Sequence, residues 1–426
     1  MRYKNTNRQL IDATRCLAAV LFVILACFAC QSTPAVPPAG TQLIEVPSPT
    51  NSAMVEEKTV PATPEMAGTS TIKWIRKYEG PDYGAFFDII LTGDGNALAV
   101  GATNHLHVPP YSGDILIMKF TLDGDVIWEK TWGGENYEQA WAVTPAKDGG
   151  YLIFGETDSY GSGNRDFFLL KTTADGEEVW YRTYGGEGRE WPYGMLPLNN
   201  GDFLLYGFSE SNGAGGRGQY ALRVGEDGQV IWVYSSEAPE EELILDALET
   251  PEGDLILVVG IAQDGMLIKL DSDGKVIWGK RYELAGWQYA SQVVGSGDGG
   301  YLLVGFSMSS TGLADTWIAK TTSLGDLEWE RSFGDPNRDD YATTLIQCSD
   351  GNYLFGGIAN GLLLGLLDGS GNLLWSHYLV GRGVYGSQAL VELADGGILV
   401  AGFIQITGGR SYDAILLRTD ADGQNE

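Results

Sequence analysis

Three histidines, four cysteines and several acidic clusters are the side chains from which this 426-residue chain could build reactive chemistry. His105 and His107 stand two apart in Thr103-Asn-His-Leu-His-Val-Pro-Pro-Tyr-Ser-Gly, so both imidazoles could share a face and ligate a metal. A closed site needs further ligands that the spacing does not supply, and an irregular exposed loop is the simpler reading. Acidic runs such as Asn337-Arg-Asp-Asp340 offer oxygen ligands for Ca²⁺ but lack the alternating spacing of a dedicated calcium loop. A solvated acidic face accounts for them. Gly213-Ala-Gly-Gly-Arg-Gly218 fits a phosphate-cradling Gly-x-Gly-x-x-Gly, yet no helix N-terminus follows it to receive an anion. Past residue 30 there is no His-Glu-x-x-His, no Gly-x-Ser-x-Gly and no Cys-x-x-Cys. No catalytic residue and no metal site are therefore assigned, and no cofactor is expected beyond loose attraction of Ca²⁺.

The charge balance narrows the partners. Lys and Arg number 27 against 56 Asp and Glu, a net charge of −29. Such a surface repels phosphate backbones and anionic headgroups, which argues against nucleic acid. Contact with a membrane is expected only through the N-terminus. There Arg2, Lys4, Arg8 and Arg15 precede an apolar run from Leu17 to Ala29, too short for a confident span. Residues 1–29 read as an export signal. Its end, Ile24-Leu25-Ala26-Cys27-Phe28-Ala29-Cys30, resembles the lipobox of bacterial lipoproteins, which implies acylation of Cys27 or Cys30. Cys27 matches the box better, whereas Cys30 stands where polarity begins. An ordinary cleaved signal or an uncleaved anchor is the competing reading. Residues 30–69 are rich in Pro, Thr and Ser and cannot bury enough apolar surface to offset chain entropy, so they read as a tether. The expected location is extracytoplasmic, lipid-anchored to the cell envelope.

The elements that must position any site follow from a repeat. Trp74, Trp128, Trp180, Trp232, Trp278, Trp329 and Trp375 are separated by 54, 52, 52, 46, 51 and 46 residues. Each one after Trp74 closes a unit of four strand-like segments. In the unit ending at Trp180 these are Ala140-Trp-Ala-Val-Thr-Pro, Tyr151-Leu-Ile-Phe-Gly, Asp166-Phe-Phe-Leu-Leu-Lys and Glu178-Val-Trp-Tyr-Arg-Thr-Tyr, with Asp-Gly turns between. Four antiparallel strands per unit without helical periodicity predict an all-β chain. Residues 70–426 are expected to form a single seven-bladed β-propeller, monomeric, with the N-terminal strand completing the last blade. The last unit carries only three strands before the sequence ends, and Thr71-Ile-Lys-Trp74-Ile-Arg-Lys-Tyr78 is a Trp strand with no unit before it. Pairing the two would remove two open edges.

The recurring Asp-Gly-Gly-Tyr-Leu…Gly, Asp-x-x-Leu-x-Lys-Thr and Asp-x-x-Gly-x-x-x-Trp-x-Lys-x-Tyr-Gly-Gly resemble repeats of bacterial and archaeal surface lipoproteins. They also resemble the tryptophan-docking signature of quinoprotein (PQQ-repeat) propellers. That likeness implies fold more than activity. The adjacent-cysteine pair of many quinoprotein dehydrogenases is absent, and eight blades rather than seven are usual there. An architectural likeness to the propeller lipoprotein of the outer-membrane β-barrel assembly machinery raises an assembly-scaffold role.

The tryptophans themselves read as wedges between blades. In five repeats the residue four positions on is also aromatic: Tyr78, Trp132, Tyr184, Tyr282 and Phe333, on the same strand face. Recognition is expected instead on the face that gathers the variable loops, at the mouth of each inner strand. Tyr83, Tyr137, Arg189, Glu241, Trp287, Asp339 and Val384 stand there. Tyr83, Tyr137, Arg189, Trp287 and Asp339 are the ligand-binding candidates, with interblade packing the alternative for the aromatics. The expected function is a non-catalytic binding module for a protein, glycan or envelope component. A carbohydrate-active hydrolase or lyase and an envelope assembly scaffold are the alternatives.

Overall fold

A computed structural model describes residues 72–78, 84–103, 113–211, 216–236, 241–261, 264–282, 288–308, 312–335, 337–359, 361–379, 384–405 and 412–420. Every regular element among them is a β-strand. The first strand is β1 (Ile72–Tyr78). A first four-stranded sheet follows: β2 (Ala85–Leu91), β3 (Ala97–Ala102), β4 (Ile115–Phe120) and β5 (Val126–Trp132). The second is β6 (Glu138–Pro145), β7 (Tyr151–Thr157), β8 (Asp166–Thr172) and β9 (Glu178–Tyr184). The third is β10 (Glu190–Pro197), β11 (Phe203–Ser209), β12 (Gly218–Val224) and β13 (Val230–Ser235). The fourth is β14 (Glu242–Glu249), β15 (Leu255–Ile261), β16 (Asp264–Leu270) and β17 (Val276–Tyr282). The fifth is β18 (Gln288–Gly295), β19 (Tyr301–Met308), β20 (Ala314–Thr321) and β21 (Leu327–Phe333).

The remaining strands are β22 (Tyr341–Gln347), β23 (Tyr353–Ala359), β24 (Gly361–Leu367), β25 (Leu373–Leu379), β26 (Val384–Glu392), β27 (Ile398–Gln405) and β28 (Tyr412–Thr419). With β1 they form one eight-stranded sheet rather than two of four. Ile358 and Ala359 of β23 pair with Gly386 and Tyr385 of β26, joining the halves. A single residue separates β23 from β24, so no long loop shields that end of β23 and the next inner strand can reach its edge. β1 pairs antiparallel with β28, setting Trp74 opposite Arg418 and Tyr78 opposite Ala414. The sequence-distant ends are thereby sewn into one sheet.

Each first strand packs on the first strand of the next group, from β2 through β6, β10, β14, β18 and β22 to β26, and β26 packs back on β2. Four-stranded antiparallel sheets set around such a ring are the architecture of a β-propeller. The apolar clusters lie between consecutive sheets. One joins Phe86, Leu116 and Phe120 to Leu399, Ala414 and Leu416, with Trp74 and Tyr78 against it.

The glycine that ends most second-strand signals has a steric cause. Each first strand carries a β-bulge, which presses a carbonyl onto its neighbour. A Cβ on Gly155 would lie 1.9 Å from the Gln139 carbonyl oxygen, and one on Gly305 1.8 Å from that of Tyr289. No side chain fits there.

Candidate functional site

First strands begin, second strands end and third strands begin on the face that carries the variable loops, so three chain segments converge there at each junction. Between the second and third sheets, Arg165 is the residue before β8. It is 8% exposed. Its guanidinium donates to both Asp158 carboxylate oxygens at 2.8 and 3.1 Å, and to Glu156 at 3.2 Å. It also lies over two rings, 5.2 Å from the centre of Tyr137 and 5.3 Å from that of Trp191. Burial pushes the Glu156 carboxyl above its ordinary range, against the pull of Arg165 and Arg189. Arg189 stacks on the other sequence-adjacent surface of the cluster, 4.5 Å from the Trp191 ring centre. Arg217, before β12, repeats the arrangement, lying over Phe208 with Glu210 at 3.1 Å and Glu241 at 3.6 Å.

A second feature runs along the axis. The bulge leaves one residue of each first strand without a partner in the ladder: Phe87, Trp141, Tyr193, Leu245, Ser291, Thr343 and Gln388. Three consecutive sheets place aromatic rings there. Phe87 meets Trp141 at 4.9 Å between centres, and Trp141 meets both Tyr193 and Trp191 at 6.1 Å. Of the other four, Leu245 is apolar and Ser291, Thr343 and Gln388 are polar, the first two of these bonded across junctions. Ser291 donates to the Ala342 carbonyl at 3.2 Å and Thr343 to the Ser387 carbonyl at 2.8 Å. On the aromatic half the indole Nε1 atoms of Trp141 and Trp191 are buried and have no acceptor.

The residues expected at the mouth meet different fates. Arg189 and Tyr137 join the Arg165 cluster. Tyr137 is only 3% exposed, and its hydroxyl donates to the Gln139 side chain. Its ring is packing surface beneath Arg165, not a platform open to a ligand, and burial holds its hydroxyl far above the ordinary range. Asp339 accepts the Ala314 amide at 2.9 Å on the far side of the ring, so it is not brought together with Arg189. Val384 pairs with Gln405 at the start of β26. Tyr83 and Trp287 lie outside the described residues, as do His105, His107, Cys27 and Cys30. Among the described residues no three His, Cys, Asp or Glu side chains converge to hold a metal.

One residue further on, a row of buried acids was missed. Glu138 and Glu190 are fully buried and Asp340 is 1% exposed. Glu138 accepts the Gly134 amide at 2.7 Å, the Thr157 hydroxyl at 2.7 Å and the Ser159 amide at 3.0 Å. The readable signal was the aromatic-Gly-Gly corner: at Trp132-Gly133-Gly134 a Cβ on Gly133 would sit 2.2 Å from an Asp114 oxygen and 2.9 Å from one of Glu138.

The seven repeat tryptophans are half-buried. Six of them lie against the turn glycine of the next group. A Cβ on Gly176 would be 2.8 Å from Trp128, on Gly274 2.9 Å from Trp232 and on Gly371 2.1 Å from Trp329. Trp74 Nε1 donates to the Leu122 carbonyl at 3.1 Å. The aromatic four positions on also crosses over: Tyr184 donates to the Gly228 carbonyl at 2.7 Å, and Trp132 packs on Phe168 at 4.3 Å. Trp375 packs in the cluster that includes Ile72 and Leu417.

Comparison with known proteins agrees with this architecture. Residues 112–286 match a family model described as outer membrane protein assembly factor BamB, which is built of PQQ-type repeats. Repeat and fold together define a PQQ-repeat-like β-propeller. No curated protein matches the sequence. Sqt1 from Chaetomium thermophilum is similar in structure, 11% identical with a TM-score of 0.50, over 84% of this chain and 86% of that one. YCF48, solved bound to D1 peptide, is 12% identical with a TM-score of 0.50, over 86% of this chain and all of that one. A protein of unknown function from Dyadobacter fermentans is 13% identical with a TM-score of 0.47, over 82% and 100%. At such identities the likeness is one of fold.

Proposed function

We propose that this chain is an envelope-anchored binding module: a seven-bladed propeller, tethered through a lipid on Cys27 or Cys30, that receives a segment of a partner protein at the mouth of its axis. The count of seven rests on treating the eight-stranded sheet as two blades, β22–β25 and β26–β28 with β1. The ring of first-strand contacts supports that division. Extracytoplasmic placement is supported by the lipobox-like Cys27 and Cys30 and by the matched family's description as an outer membrane assembly factor.

The observation that carries the binding reading is the row of rings at the axis, where Trp141 and Tyr193 are only half-buried and stand beside Phe87. Half-buried aromatic rings at a concave mouth suit an extended peptide, whose apolar side chains lie on the rings. A glycan would use the same rings, so it is the second ligand to screen. A hydrolase or lyase acting on polysaccharide would need two carboxylates converging on an open surface. The acids at this mouth, Glu156 and Asp158, are instead engaged by Arg165.

The test is photocrosslinking from position 189 in cells, with position 230 on the outer rim as control. A partner captured from 189 and lost in Trp141→Ala and Tyr193→Ala, which remove the half-buried rings, supports the reading. Capture from 230 alone overturns it. Fatty-acid labelling that survives a Cys27→Ala, Cys30→Ala double variant would overturn the anchor.

A further inference from the structure

The buried acids below the loop face come in pairs, and the pairs differ in a telling way. At the junction of the second and third sheets, Asp166 opens β8 and Glu190 opens β10. They are 1% and 0% exposed. A Cβ on the intervening Gly185 would lie 2.0 Å from Asp166 Oδ1 and 2.2 Å from Glu190 Oε2. The two oxygens are therefore no further apart than the sum of those distances. Two carboxylates so close and so buried cannot both ionise without a large cost. Asp166 Oδ1 has no hydrogen-bond partner.

Among the described residues no cation forms an ion pair with either carboxyl. The groups facing Asp166 are the Ser162 and Gly163 amides, at 2.7 and 3.2 Å from Oδ2. Facing Glu190 are the Ser209 hydroxyl at 2.6 Å, the Gly186 amide at 3.2 Å and Ser211. The arginines next in sequence point elsewhere, Arg165 to Glu156 and Asp158, and Arg189 over Trp191. Tyr184, on the strand just before the corner, gives its hydroxyl to the Gly228 carbonyl.

The other junctions act as internal controls. Between the third and fourth sheets the first member is an amide, and Gln219 Nε2 donates directly to Glu242 Oε2 at 2.6 Å. Beside Asp340, Arg338 approaches to 3.8 Å and Tyr378 donates at 2.9 Å. An amide proton faces the acid at the first of these, and a hydroxyl with a cation nearby at the second. At Asp166 and Glu190 neither is present.

We propose that Asp166 and Glu190 share one proton in a carboxyl–carboxylate hydrogen bond, making the loop face a pH-sensitive surface that is tightest in acid. Burial, with the neighbouring Asp166, pushes the Glu190 carboxyl up from its ordinary range. Loss of the proton leaves two like charges beneath the 161–165 loop and the Gly185–Gly186 corner, whose amides the pair holds.

The experiment is a carboxyl-carbon NMR titration of the full chain, with amide exchange at Gly163 and Gly186 read in parallel. One carboxyl of the pair is expected to titrate above the ordinary carboxylate range. Exchange at both glycines, corrected for its intrinsic pH dependence, should rise across that transition. Glu190→Gln, which copies the Gln219–Glu242 bond, should abolish the transition and leave exchange flat. Asp166→Asn provides a second variant should the first fail to fold. Glu242→Gln should leave the transition in place. Ordinary titration of both carboxyls, or exchange at Gly163 and Gly186 with the same pH dependence in wild type and Glu190→Gln, would overturn the proposal.

Discussion

Replacing Asp88 with Asn should remove a pH-dependent weakness from the inner ring. Asp88 stands beside the bulge of β2, and its carboxylate accepts the Val143 amide of the next first strand at 2.8 Å and its own neighbour's amide, Ile89, at 2.8 Å. Burial nevertheless dominates and raises its pKa from 3.8 to about 7. The folded state therefore keeps a proton that the unfolded chain has already released. The stability this contributes is fully present below pH 3.8 and is lost as pH rises to about 7. At roughly 1.4 kcal/mol per pH unit, the whole window corresponds to about 4 kcal/mol. Asn retains an acceptor for Val143 and carries no charge. Gln292 already fills the equivalent place four junctions on, accepting the Leu345 amide at 2.5 Å. Urea unfolding of wild type and Asp88→Asn at a series of pH values measures the difference. The wild type should lose stability relative to the variant across the window, with the gap opening toward neutral pH. Parallel curves would refute the reasoning, because they would mean that Asp88 binds no more protons folded than unfolded.

Other substitutions test other links. Asp246, raised to about 6 by burial and bonded to Val293 and Tyr206, should behave like Asp88 over a narrower window when changed to Asn, by the same unfolding series. Tyr137→Ala should destabilise the domain by about 3 kcal/mol, as large-to-small core changes do, because the ring is buried beneath Arg165; unchanged thermal unfolding would show that the Arg165 cluster does not depend on it. Trp128→Ala should cost about 2–4 kcal/mol by removing the ring that covers the Gly176 turn, read from the chemical-denaturation midpoint. Deleting residues 1–80 removes β1 and exposes β28, so melting temperature should fall and the protein should associate through the open edge; a monomer of unchanged stability would show that β1 is dispensable.

The sequence by itself determined the repeat, its four strands and the closure. Those depend on local features: two-residue periodicity, Asp-Gly turns whose glycines take positive φ, such as 84° at Gly124, and a Trp at a constant offset. The partnership of Trp74 with the last repeat was legible because each end lacked what the other carried. The face on which a mouth residue points was not legible, because a strand alternates sides at every residue and a bulge resets the alternation. Reading position 137 rather than 138, and 189 rather than 190, selected the residues beside the buried acids instead of the acids. Phe87, Trp141 and Tyr193 line one side of the axis only because each occupies a bulge, and no local pattern marks a bulge. The merging of the last two strand groups into one sheet depended on where the β23 end lies relative to β26, a distance of about 27 residues along the chain. Tertiary packing alone decided which carboxylates meet, and therefore where the molecule holds its protons.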